Sequence, residues 1–65
     1  MNLIITYKNG EADVFEEKNL DCSSLTIKGH AAKLIEEWKG TTRSVYVLDH
    51  YNAVALDEII CVRVT

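Results

Sequence analysis

Four side chains could act as soft-metal ligands or as parts of a nucleophilic pair: Cys22, His30, His50 and Cys61. They are separated by seven, nineteen and ten intervening residues. Zinc sites take their ligands in pairs roughly two to five residues apart, because a tight turn or one helical face has to hold two ligands on one ion. That pairing is absent, so no metal site and no cofactor is expected. Nucleophilic catalysis requires a cysteine beside a histidine that a third group orients. Cys61 lies in the most apolar stretch of the chain, where burial raises a thiol pKa and leaves it inert. Cys22, next to Ser23 and Ser24, reads as an exposed thiol, and both histidines read as surface imidazoles.

Carboxylates occur side by side at Glu16-Glu17, Glu36-Glu37 and Asp57-Glu58. Acid-base chemistry requires one carboxyl in an apolar pocket that raises its pKa, whereas Glu36 and Glu37 fall on the solvent side of a helix. Gly10, Gly29 and Gly40 stand alone, and no glycine-rich turn is present to cradle a phosphate. With no catalytic constellation, the chain is not expected to be an enzyme.

Composition narrows the remaining roles. At 65 residues, the chain is read as one small domain, of a size that often depends on a disulfide, a metal or a partner for stability. Ten acidic and seven basic residues give a net charge of −3. The lysines and arginines are spread along the sequence rather than clustered. Phosphate neutralisation by clustered cations dominates nucleic-acid affinity, so direct nucleic-acid binding is not expected. No apolar run approaches the roughly 20 residues that span a bilayer. The segment Met1–Tyr7 lacks the basic leader and long apolar core of a signal peptide. The expectation is a cytoplasmic protein with both cysteines as thiols.

The elements that would position any site are organised around Ala31, Leu34, Ile35 and Trp38. Their i, i+3, i+4, i+7 spacing lines one face of a helix with about 3.6 residues per turn. The helix is expected to begin near Gly29 or His30 and to stop at Gly40, acting as a left-handed C′ residue. Cys22–Lys28 alternates like a short third strand, with β-branched Thr26 and Ile27 favouring that reading. Asn9-Gly10 between Leu3–Lys8 and Glu11–Glu17 signals a hairpin with a two-residue type I′ turn. That turn would set Ile5 opposite Val14 and Ile4 opposite Phe15. Thr41–Ser44 would turn the chain into a strand over Val45–His50, with Tyr51-Asn52 as the next turn. Ala53–Leu56 would return, Asp57-Glu58 would bend or bulge, and Ile59–Val64 would be a last strand covered on both faces. The fold class is therefore α+β: a small antiparallel sheet, built from an N-terminal hairpin, a short third strand and a C-terminal meander, with one helix packed on one face.

One helix covers only one face of a sheet. If Leu3, Ile5, Tyr7, Val14, Ile60, Val62 and Val64 meet it, then Ile4, Phe15, Ile59 and Cys61 point the other way, with Tyr46 and Leu48 assigned to the same surface. A contiguous apolar area of a few hundred Å² on a soluble protein generally marks an interaction site. The helix-free face is thus the candidate interface. A second candidate is the tip Asp49–Asn52, where Tyr51 offers a large contact area at low entropic cost and His50 could make a contact pH-sensitive.

These features favour a small acidic, non-enzymatic interaction module, an adaptor or inhibitor that binds a protein partner or a second copy of itself. The alternative is an acidic inhibitor of a nucleic-acid-binding enzyme, with Glu11, Asp13, Glu16 and Glu17 imitating phosphates, although Lys8 and Lys18 interrupt that acidic face. The segment Ala55–Ile60 resembles strand ends of many small β domains, including those carried by phages and mobile elements. Such a resemblance assigns no residue a role.

Overall fold

The computed structural model describes residues 1–20, 22–40 and 44–65. The chain runs β1 (Asn2–Tyr7), β2 (Ala12–Glu16), a 3-10 turn (Glu17–Asn19), α1 (Ile27–Gly40), β3 (Val45–Val47), β4 (Ala53–Ala55), a second 3-10 turn (Leu56–Glu58) and β5 (Ile59–Val64). It is an α+β fold. The strands form two antiparallel sheets, one ordered β2-β1-β5 and the other a β3-β4 hairpin. The expected meander is therefore divided: β5 leaves β4 and pairs with β1. Most of the turn expected at Thr41–Ser44 lies outside the described residues.

The helix starts earlier than its apolar spacing suggested, and the strand expected over Cys22–Lys28 does not form. Thr26 accounts for both differences. Its Oγ1 accepts a hydrogen bond from the Gly29 N–H at 3.1 Å and its carbonyl accepts one from the His30 N–H at 2.9 Å. This is an N-cap, which satisfies donors that the first helical turn would otherwise leave open. Ile27 then becomes the first residue of the buried stripe Ile27, His30, Ala31 and Leu34. The β preference of Thr26 and Ile27 is overridden by the cap and by packing. At the other end, Gly40 remains inside the helix without a positive φ, so the expected left-handed stop is not used.

Leu3, Ile5, Ile27, Leu34 and Val54 are completely or almost completely buried, and form one core with Leu20, Ala31, Tyr46, Leu48, Leu56 and Ile59. α1 lies against β5 and β1. The 3-10 turn before β5 holds the second sheet to this core, with the Leu56 N–H donating to the Ser44 carbonyl at 2.8 Å.

Candidate functional site

The register of the first hairpin decides which residues the helix leaves uncovered. The Tyr7 N–H donates to the Glu11 carbonyl at 2.8 Å, and the Gly10 N–H donates to the Tyr7 carbonyl at 3.0 Å. The loop is therefore the three residues Lys8, Asn9 and Gly10, with Gly10 at φ +89° and no positive φ at Asn9. This is the type of loop in which a left-handed glycine follows a tight turn. The expected two-residue turn is not formed. Ile4 faces Val14, and Leu3 faces Phe15. Because side chains alternate along a strand, a slip of one residue turns every side chain of β2 to the opposite face. Phe15 moves to the core side and Val14 to the outside, which buries the larger apolar side chain.

A second irregularity acts on β5. Thr6 pairs with Cys61 but Tyr7 pairs with Ile59, leaving Ile60 as the extra residue of a bulge. The inserted residue changes the parity of the strand. Ile59 enters the core at 3% exposure, while Ile60 is 55% exposed.

These pairings define the helix-free face as three cross-strand rows: Glu16, Asn2 and Thr65; Val14, Ile4 and Arg63; and Ala12, Thr6 and Cys61. Its middle is apolar, with Val14 exposed and Ile4 and Cys61 half-buried. Glu16, Asn2, Thr65 and Arg63 supply a polar margin. Of the residues read from sequence as its members, Ile4 and Cys61 lie on it. Phe15 and Ile59 do not: both pack on the core side. Tyr46 and Leu48 are also core residues, and their alternation leaves Val45 and Val47 as the exposed pair of β3. Val14 was missed because its face follows from the length of the loop, which Asn9-Gly10 leaves open.

The acidic residues of the hairpin do not share a face. Asp13 stands opposite Ile5 on the core side of β2 and accepts a 2.7 Å hydrogen bond from the Tyr7 hydroxyl. Partial burial, followed by the hydrogen bond and charge of Asp13, pushes the Tyr7 pKa well above its usual value. Glu16 points to the other side and lies 3.3 Å from the Lys18 ammonium.

A concavity of about 350 Å³ between α1 and the β3-β4 hairpin brings His30, Lys33, Tyr46, Leu48, Asp49 and His50 together. His30 is a buried residue of the helix core face, not a surface imidazole. Extending the apolar stripe back from Leu34 by one turn would have placed it there. His50 is exposed, as is Tyr51 at 94%, and their rings meet edge to face with centroids 6.4 Å apart. Asp49 Oδ1 accepts three hydrogen bonds at 2.9 Å, from the Tyr51 and Asn52 N–H groups and from Asn52 Nδ2. That oxygen shapes the loop, as Asx turns do. Cys22 is half-buried, its Sγ 3.9 Å from the Glu17 carbonyl. Among the described residues, no three His, Cys, Asp or Glu side chains are grouped to hold a metal. No helix among them is long and apolar enough to cross a membrane.

Comparison with protein-family models, with curated proteins and with solved structures finds no match to this chain.

Proposed function

We propose that this protein is a small non-enzymatic interaction module, acting in the cytoplasm as an adaptor or inhibitor, whose contact surface is the helix-free face of the three-stranded sheet. The observation that carries this reading is the uncovered row Val14–Ile4 beside Cys61, on strands whose opposite face forms the core. An apolar centre with a polar margin is the usual anatomy of a protein contact. The phosphate-mimic alternative is weaker, because it requires a dense face of one charge. The hairpin register instead divides Asp13 from Glu16.

Capture from a lysate of the source cell tests the proposal, with and without nuclease, using wild-type bait and the variants Ile4→Lys and Val14→Lys. A second tagged copy of the chain is included among the prey. Capture that persists with nuclease and is lost in both variants, but retained in Tyr51→Ala, supports the face as the contact. Capture unaffected by either lysine overturns it.

A further inference from the structure

We propose that β5 is the seam of a homodimer, in which two copies join edge to edge, antiparallel about a two-fold axis at Val62, to make one six-stranded sheet. This rests on the reading of the helix-free face as a contact surface, and adds which edge is used and what occupies it.

The hydrogen bonding of β5 shows what it leaves open. Asn2 and Thr65 exchange both main-chain hydrogen bonds, at 2.8 and 3.0 Å. In an antiparallel ladder such pairs alternate with non-bonded ones. Arg63 and Cys61 therefore aim their main-chain groups at β1, and Val62 and Val64 aim theirs away from it. β5 is an edge in the order β2-β1-β5, so these outward groups face no strand of their own sheet. An edge of this kind is a template for another strand.

The two edges of the sheet differ in charge. β2 and its flanks carry Glu11, Asp13, Glu16 and Glu17, and pairing two such edges would bring together the carboxylates of two chains that each have a net charge of −3. Charged edges of this sort resist association. β5 carries one charged residue, Arg63, among Ile60, Cys61, Val62 and Val64. Its bulge lies at Ile60, leaving Cys61 to Val64 in regular pairing with β1.

Self-pairing also selects a register. With the axis at Val62, Ile60 faces Val64 of the second copy and Cys61 faces its Arg63, so no like charges oppose each other. An axis at Arg63 would oppose two guanidinium groups. An axis at Cys61 would set Val64 against Glu58, which lies in the 3-10 turn rather than in a strand. The Val62 axis also holds the acidic β2 edges at the two far ends and makes the helix-free faces of both copies continuous. A domain this small gains from the added burial.

The test combines cross-linking with sedimentation. R63C in a Cys22→Ala background places a thiol opposite Cys61 of the second copy in a non-hydrogen-bonded pair. There Cα atoms stand about 4.5 Å apart, within disulfide range. Mild oxidation is expected to give a reducible dimer that disappears when Cys61→Ser is added. Val64→Pro removes an outward N–H and spares the β1-β5 ladder, so it should weaken the dimer at least tenfold with an unchanged far-UV spectrum. A cross-link that survives Cys61→Ser, or one formed through Cys61 with Arg63 intact, overturns the register. A chain that sediments as a monomer at about 0.5 mM and does not cross-link overturns the dimer. If that monomer still captures a partner that Ile4→Lys abolishes, the face reading stands while the edge inference fails. A dimer lost in Val14→Lys but unchanged in Val64→Pro separates the two in the same way.

Discussion

Ile4 and Ile5 are the same residue type, adjacent in one strand, and they have opposite fates. Ile5 is fully buried against the helix, and Ile4 sits half-covered between Val14 and Arg63 on the other side. The difference is made by what the rest of the chain can reach. A helix of fourteen residues and a three-residue β-hairpin arm suffice to close one face of the three-stranded sheet. The second face carries the β-branched residues Ile4, Thr6 and Val14 and is left open, which is why it is the face proposed as a contact surface.

The largest expected effect comes from breaking the closed side. Ile5→Ala or Leu34→Ala should cost about 2–5 kcal/mol, the usual range for buried aliphatic truncation, and urea denaturation would then find a domain of this size at the edge of unfolding. Ile4→Ala, measured in the same way, should cost less than half as much as Ile5→Ala. Equal costs would mean that the second face is also closed. Next comes the device that turns the helix onto the sheet: Thr26→Ala should cost about 1 kcal/mol by removal of the cap, with Thr26→Ser close to wild type. The smallest change is expected at Val14→Thr, within about 0.5 kcal/mol for an exposed position.

A pH titration sharpens the same contrast. Burial, then Asp13, raises the Tyr7 pKa, and burial, then the charge of Glu37, raises that of Tyr46. Both hydroxyls hold their protons more tightly in the folded state. Unfolded tyrosine ionises at about pH 10. Above that value the unfolded chain binds fewer protons than the folded one, so stability falls as pH rises. Below it, these two groups contribute a constant amount. Tyr7→Phe should reduce the alkaline slope of the urea midpoint, and the double variant with Tyr46→Phe should reduce it further.

Much of the architecture was legible in residue order. The spacing of Ala31, Leu34 and Trp38 indicated the helix, Asn9-Gly10 the first hairpin, and Ile59–Val64 the last strand, because each is a local periodicity or a local turn preference. The candidate face was legible only in outline. Ile4 and Cys61 lie on the helix-free side, whereas Ile59, Tyr46 and Leu48 belong to the core and Phe15 packs against it. The faces of Phe15 and Ile59 depend on a loop that is one residue longer than expected and on one inserted residue in β5, and alternation carries each such change along a strand. Tyr46 and Leu48 belong to the β3-β4 hairpin and its flank, a separate sheet that turns them to the core. Thr26 and Ile27 read as a strand because both are β-branched, and the cap that Thr26 forms was not read from the sequence.

The sequence by itself determined the amphipathic stretch Ala31–Trp38 as helix, the first hairpin and the last strand, since these follow from neighbours a few residues apart, but not the type of Thr26–Lys28. Only the tertiary structure decided the register of β2, the pairing of β5 with β1 and the position of β5 at an edge. Apolar residues on both parities of Ile59–Cys61 fit a central strand as well as an edge strand. Which one forms depends on burial summed over distant residues, a quantity that no local stretch of the chain contains.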